Sequence, residues 1–146
     1  MAITLKKITL WRKEVDNKPG ALADTLALLA QAGTDLQAVM GYRYQGDQGK
    51  AAIELHPVSG KKAIEAARSA GLAASPIPTV LVQGDNRPGL GHTIAKALGD
   101  AGINLGFVLA QVVGRKYAAV FGFENDSDAA KAIALIRKAT APARKR

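Results

Sequence analysis

The sequence contains no cysteine and few aromatic residues, and each scarcity excludes classes of protein. The 146 residues include no Cys, and Phe, Trp and Tyr make up only 5%. Without thiols there are no disulfide scaffolds, thiolate zinc sites, iron–sulfur clusters or cysteine nucleophiles. No apolar run approaches the roughly 18 residues of a transmembrane helix, and the N-terminus lacks the apolar segment of a signal peptide. We therefore expect a cytoplasmic protein that does not enter a membrane.

What is present fits a basic globular protein. Hydrophobic residues make up 48% of the chain, which is enough for a core. Lys and Arg number 20 against 12 Asp and Glu, a net charge of +8. A solvated surface accounts for this excess, and a nucleic-acid-binding surface is the alternative. The sequence shows no helix-turn-helix and no aromatic-rich RNA-binding motif.

An internal repeat divides the chain. Residues 16–20, Asp-Asn-Lys-Pro-Gly, return at 85–89 as Asp-Asn-Arg-Pro-Gly, and the match continues beyond them at the same offset. Between residues 16–39 and 85–108, nine of 24 positions are identical without a gap. Chance would give roughly one match in twenty, so the chain contains a duplication.

Each copy predicts the same order of elements. A strand leads through a Pro-Gly turn into an amphipathic helix, followed by a hairpin and a second helix. Ser59 and either Asp126 or Ser127 are expected to cap the second helices. A short edge strand fits residues 72–77, and none is evident after the last helix.

We therefore expect an α+β protein of two ferredoxin-like βαββαβ units with helices on one face. Domain 1 is expected at residues 1–75 and domain 2 at 76–146, with a basic tail at 140–146. Because exposed sheet edges invite pairing, we expect the sheets to join side by side and the units to share or exchange edge strands.

The repeated motif resembles that of the ACT domain, a small regulatory domain attached to enzymes of amino-acid biosynthesis. The family pattern has Asp-x-Pro-Gly-x-Leu at a helix start and Gly-Ile-Asn-Ile at the helix end. Asp85–Leu90 and Gly102–Leu105 fit it, as do Asn17–Leu22 and Gly33–Leu36 in the first copy. The likeness covers about residues 5 to 139 and extends to free-standing tandem ACT proteins without a catalytic domain. It implies a regulatory protein that binds a small ligand, most often an amino acid, at an interface between ACT units.

The start of the first helix in each copy suits a carboxylate. Its N–H groups lack intrahelical partners and carry the positive end of the helix dipole. Gly20 and Gly89 remove a Cβ that would hinder a ligand, and Gly91 adds a second opening where the first copy has Leu22. We therefore expect one better site, in the second copy. The residues expected to bind ligand are Asp85, Asn86, Arg87, Pro88, Gly89, Leu90, Gly91 and His92, together with Asn17, Gly20, Ala21 and Leu22 of the first copy and Val108 and Gln111 of the following strand.

Other chemistries have weaker support. Gly89 and Gly91 lack the third glycine of a dinucleotide fingerprint, because Ile94 occupies that position. Two histidines without an acidic cluster do not make a metal site, and no activated nucleophile is visible. We expect a non-catalytic, homodimeric amino-acid sensor without metal or cofactor, with or without a regulated protein partner. The alternative is a regulator that binds nucleic acid or a protein through its basic surface.

Overall fold

The computed structural model describes residues 3–142, and at positions 47 and 48 it describes the backbone alone. Over this range the elements follow the predicted order, with one additional strand at the start. The strands are β1 (Thr4–Ile8), β2 (Trp11–Asp16), β3 (Ala38–Tyr44), β4 (Asp47–His56), β5 (Ala73–Ala74), β6 (Thr79–Asp85), β7 (Leu105–Val113) and β8 (Lys116–Phe123). The helices are α1 (Ala21–Gln31), α2 (Lys61–Ser69), α3 (Leu90–Asp100) and α4 (Asp126–Ala139).

The strands build two four-stranded antiparallel sheets. Their orders are β3-β4-β2-β5 and β1-β6-β8-β7, which confirms the α+β class with ferredoxin-like topology. Each sheet belongs to one of two compact units. This contradicts the expectation that the two repeats join side by side into one sheet.

The two units do not follow the order of the sequence. The central unit is Thr9–Pro76, and the terminal unit combines the residues before Thr9 with those from Ile77 onward. β1 pairs with β6, from Thr4 opposite Gln83 to Ile8 opposite Thr79. It occupies the place that β5 takes beside β2 in the central unit. The terminal unit thus takes its edge strand from the segment that precedes the first repeat. The transfer goes one way, because β5 stays beside β2 in the central unit, so the units do not exchange edge strands.

Each unit buries one face of its sheet under its two helices. In β6, Val80 and Val82 are fully buried, as alternation along a strand requires for a face that packs on helices. Thirteen buried residues form the terminal core and six form the central one. The central unit therefore depends more on half-buried side chains such as Trp11 and Val15, which pack against its core.

The starts of α2 and α4 differ from the prediction. Asn125, rather than Asp126 or Ser127, caps α4, and its Oδ1 accepts the N–H of Asp128 at 2.8 Å. Gly60, rather than Ser59, occupies the cap position of α2, where no side chain forms a capping hydrogen bond. The cap of α2 lies one residue from the predicted position, and the cap of α4 lies one or two residues before the two predicted positions, a typical error for element boundaries.

Candidate ligand-binding site

Both copies form the same turn ahead of their first helix. The N–H of the residue after the glycine donates to the carbonyl three residues earlier, at 3.3 Å in the first copy and 3.2 Å in the second. Gly20 and Gly89 each follow a proline and have φ values of 87° and 82°. This is a type II β-turn, which requires a positive φ at its third residue. A Cβ on either glycine would meet nothing within 4 Å, so the backbone conformation alone accounts for both glycines.

The aspartates that begin the two motifs are already paired. Asp16 lies opposite Lys50 in the β2–β4 register and accepts from its Nζ at 2.8 Å. Asp85 and Lys116 are opposite each other in β6 and β8 and form the same pair. The hydrogen bond from lysine lowers the pKa of each aspartate below its ordinary value. An ammonium group of a ligand would therefore compete with a lysine for these carboxylates.

A cavity of about 340 Å³ opens beside this turn in the central unit. Its walls are residues 15–18, Ala21 and Leu22 at the start of α1, and residues 41–43 of β3 and 51–53 of β4. We call it the α1 cavity. Of the residues expected to bind ligand in the first copy, Asn17, Ala21 and Leu22 line the α1 cavity, whereas Gly20 does not.

The charges around the α1 cavity favour an anion. Lys18 and Arg43 line it, and the lining aspartate, Asp16, is neutralised by Lys50. Asp24, in the first turn of α1, lies outside this lining. The N–H groups at the start of α1 add the partial positive charge of a helix N-terminus. The arrangement suits a carboxylate.

Tyr42 is hydrogen-bonded to a buried carboxylate on the opposite face of the sheet from Ala51 and Ile53, because side chains alternate along β3 and β4. Its hydroxyl donates to Oε2 of Glu54 at 3.0 Å, and Glu54 is only 1% exposed. Partial burial, and then the charge of Glu54, raise the pKa of Tyr42 above its ordinary value. The phenol therefore stays protonated at neutral pH and fixes the orientation of the ring.

The second copy fills the equivalent space. Tyr117 is the structural equivalent of Ala51. Tyr117 lies opposite Gly84 in the β6–β8 pairing, and Ala51 lies opposite the corresponding residue, Val15, in the β2–β4 pairing. Tyr117 is 5% exposed, and its hydroxyl lies 3.9 Å from where a Cβ on Gly91 would be. The space that Gly91 leaves open is thus next to the Tyr117 side chain. Burial also raises the pKa of Tyr117, which keeps its hydroxyl neutral.

The second copy keeps one positive charge of the first, with Arg87 at the position of Lys18, and lacks the other. Val112 lies opposite Tyr117 as Arg43 lies opposite Ala51. The second copy therefore has the smaller, uncharged Val112 in place of Arg43 and the bulkier Tyr117 in place of Ala51. The described structure favours the first copy as the open and basic site, whereas Gly91 favours the second copy when the sequence is considered alone.

The remaining predicted residues of the second copy lie apart. Leu90 is 2% exposed and belongs to the terminal core, whereas Asn86, Arg87, Pro88 and His92 are exposed. Val108 and Gln111 lie on β7 at positions of opposite parity, so their side chains point to opposite faces of the sheet. The structure does not bring all of these side chains together.

Sequence reasoning missed Gly41, Arg43 and Ala51 for a physical reason. The repeat recognised without a gap ends at residue 39, near the start of β3. Beyond it, the β3–β4 pairing shifts register between Arg43 and Tyr44, whereas the β7–β8 pairing has no shift at the equivalent point. The first hairpin is therefore longer than the second. An ungapped alignment pairs Ala51 with Val120 instead of Tyr117. A comparison of the two copies that allowed a gap at the hairpin would have revealed the difference.

Two further cavities lie in the central unit. One of about 310 Å³ adjoins the α1 cavity and shares Val15, Asp16, Lys18 and Ala21 with it. A larger one of about 440 Å³ lies between the end of α1 and the start of α2, away from the repeated motif. Within residues 3–142, no three acidic, His or Cys side chains are grouped so as to hold a metal ion. None of the helices in this range has both the length and the apolar character needed to cross a membrane.

Several solved structures share this fold. A protein from Bacteroides thetaiotaomicron aligns with a TM-score of 0.72 and 16% identity, over 89% of this chain and 88% of its own. The regulatory subunit of aspartate kinase from Thermus thermophilus aligns with a TM-score of 0.63 and 14% identity, over 97% and 98% of the two chains. The corresponding subunit from Thermus flavus gives 0.59 and 15%, over 97% and 98%. No family model and no curated protein matches the chain. The chain has the fold of tandem ACT regulatory proteins, which confirms the resemblance at the level of fold.

Proposed function

We propose that this is a non-catalytic regulatory protein that binds an amino acid or a related small carboxylate in the α1 cavity. The observation that carries the proposal is an open volume of about 340 Å³ at a helix start, with Lys18 and Arg43 in its wall. Structures of the same fold include regulatory subunits of aspartate kinase, which supports a regulatory role. As a sensor of metabolite level it would act in the cytoplasm, as a homodimer.

The walls of the α1 cavity suggest how each part of such a ligand would be held. The carboxylate would accept from the N–H groups at the start of α1 and pair with Lys18 or Arg43. The apolar surfaces of Leu22 and Ile53 would pack on the ligand side chain. The ammonium group would donate to a carbonyl oxygen of β3 or β4, because Asp16 is already paired with Lys50.

Binding would act on the central unit by mass action. A ligand that binds only the folded state stabilises it by about 2.7 kcal/mol at 100 times its Kd. Such a ligand shifts the population toward the ligand-bound arrangement, and a partner protein can respond to that arrangement. The predicted site at Gly91 in the second copy is the alternative location, and the two locations are separable by experiment.

A thermal-shift panel of the twenty amino acids and related small carboxylates tests the proposal. Trp11 is the only tryptophan and lies in the central unit, so its fluorescence follows the unit that holds the α1 cavity. A ligand should raise the Trp11 midpoint and fail to do so in Ala51→Tyr, which introduces the side chain that fills the second copy. Gly91→Leu, which introduces the side chain found at the equivalent position in the first copy, is the matched control.

The reciprocal pair distinguishes the outcomes. Binding lost in Ala51→Tyr and kept in Gly91→Leu supports the α1 cavity. Binding lost in Gly91→Leu alone places the ligand in the second copy and overturns the choice of site. If no compound in the panel shifts the midpoint, and the protein instead binds RNA or DNA in a salt-sensitive manner, the basic-surface alternative replaces this proposal.

A further inference from the structure

The face of the central sheet that lies away from its helices carries a group of polar side chains. Ile53 and Leu55 of β4 belong to the core beneath the helices, so Glu54 between them points to the opposite face. Strand pairing places Arg12 of β2 directly opposite Glu54. We call this side of the sheet the outer face, and the outer-face cluster consists of Arg12, Glu14, Tyr42, Tyr44 and Glu54.

Glu54 is a buried carboxylate with one oxygen that is not hydrogen-bonded. The residue is 1% exposed, and its Oε2 accepts from the hydroxyl of Tyr42 at 3.0 Å. Its Oε1 is buried and has no hydrogen-bond partner within the part of the chain that the structure describes. A buried acceptor without a donor destabilises a protein, and a charged one does so more strongly. The carboxylate therefore has the capacity for one further donor.

Arg12 does not supply this donor, although it lies opposite Glu54. Its guanidinium donates to the hydroxyl of Tyr44 and lies 5.8 Å from the centre of that ring. The Tyr44 hydroxyl in turn donates to Oε2 of Glu14 at 3.2 Å. The charges of Arg12 and Glu14 thus balance each other through Tyr44, and the cluster keeps one negative charge, on Glu54.

The second copy carries no charge at the equivalent place. Val120 of β8 is the structural equivalent of Glu54. Val120 lies opposite Leu81, whereas Glu54 lies opposite Arg12. The same fold therefore accepts an apolar side chain at this position, and folding alone does not account for the buried carboxylate of the central unit.

We propose that the outer-face cluster binds a small organic amine, whose ammonium group donates to Oε1 of Glu54 and lies against the ring of Tyr42. A carboxylate forms charge-assisted hydrogen bonds with an ammonium group, and an aromatic face attracts the same cation. Arg12 covers the ring of Tyr44, whereas the ring of Tyr42, whose centre is 6.2 Å away, belongs to a residue that is 42% exposed. A divalent metal ion would need more oxygen ligands than the cluster provides.

Access to Glu54 depends on side chains that lie outside the core. Tyr42 is exposed, and Arg12 and Tyr44 are half-buried, so rotation of these long side chains opens the carboxylate to a small cation. Ala51 and Ile53, which line the α1 cavity, point to the other face of the sheet. The amine site is therefore separate from the α1 cavity and does not depend on the ligand proposed there.

Thermal melting followed by Trp11 fluorescence tests the site, because Trp11 is the only tryptophan and precedes Arg12 in the central unit. Methylammonium chloride and 1,4-diaminobutane dihydrochloride are the probes, and sodium chloride and potassium chloride at equal ionic strength are the references. An amine at 100 times its Kd should raise the Trp11 midpoint by about 10–20 °C above the references. Glu54→Val, which introduces the residue of the second copy, should fold and lose this rise. Glu54→Gln keeps an acceptor for Tyr42 and should lose the rise as well.

Two control variants separate this site from other sources of an amine effect. Asp24→Asn removes an exposed carboxylate of α1 outside the cluster and should keep the full rise. Ala51→Tyr fills the α1 cavity and should also keep it. The proposal is overturned if neither amine raises the midpoint above the references or if the rise survives in both Glu54 variants. A rise that disappears in Ala51→Tyr would place the amine in the α1 cavity and overturn the proposal too.

Discussion

Leu5→Ala should destabilise the terminal unit and spare the central unit, although Leu5 precedes the first repeat in sequence. Leu5 lies opposite Val82 and packs partly buried against the terminal core. Truncation of a buried leucine to alanine costs about 2–5 kcal/mol. Because Leu5 keeps part of its exposure, we expect the lower end, about 2 kcal/mol.

That cost is large for a unit of this size. At about 0.05–0.15 kcal/mol per residue, a unit of about 70 residues has roughly 4–10 kcal/mol of stability in total. Each kcal/mol lowers the Tm of such a small domain by about 4–8 °C. The terminal unit of the Leu5→Ala variant should therefore melt roughly 8–16 °C lower.

Two optical probes separate the units. Trp11 fluorescence follows the central unit, and far-ultraviolet circular dichroism follows the helices and strands of both units. In Leu5→Ala, part of the dichroism signal should melt early and the Trp11 midpoint should stay in place. Leu29→Ala, in the central core, is the control that should lower the Trp11 midpoint. The assignment of β1 to the terminal unit is wrong if Leu5→Ala lowers the Trp11 midpoint as far as Leu29→Ala does.

Three further predictions concern the turn, a cap and an ion pair. Gly89→Ala should lower the free energy of unfolding by about 1–2 kcal/mol because the turn requires a positive φ. Gly91→Ala should instead raise it by about 0.4–1 kcal/mol, because the added Cβ would meet only an ordinary contact at 3.9 Å. Urea denaturation measures both effects, and equal effects of the two variants would contradict the prediction. Asn125→Ala should cost about 1 kcal/mol through the lost cap of α4, and an unchanged urea midpoint would show that the cap contributes nothing. The Asp85 carboxyl should have a pKa below the ordinary aspartate value, so its contribution to stability is present at neutral pH and is lost as the pH falls through that lowered pKa. NMR titration should show a higher Asp85 pKa in Lys116→Gln, and an unchanged pKa would exclude Lys116 as the cause.

The elements of the fold were readable from the sequence because each signal is local. The Pro-Gly turn and the leucine spacing of α1 depend only on neighbouring residues in the chain, and the same pattern in the second copy predicts the same elements independently. The placement of β1 was not readable in this way. Its partner β6 lies beyond the whole central unit in sequence, with Thr4 opposite Gln83, and no local pattern states which sheet a short strand with two lysines will join.

The sequence predicts a carboxylate site and favours the second copy, whereas the α1 cavity lies in the first copy. A carboxylate site at a helix start follows from the backbone of the motif, which both copies share. The difference between the copies arises where β3 meets β4, because a shift of register places Ala51 where the second copy has Tyr117. Gly91 was visible as a missing side chain, but the side chain that occupies the neighbouring space belongs to β8, which follows α3 and β7 in the sequence.

The pairing of β1 with the terminal unit has a consequence for the order of folding during synthesis. β1 is made before the central unit, Thr9–Pro76, and its partner β6 is made after it. At about 5–20 residues per second, the ribosome takes several seconds to supply that partner. The central unit can fold in this interval while β1 waits unpaired. Lys6 and Lys7 then protect a nascent strand from pairing with the wrong edge before they protect the edge of the finished sheet.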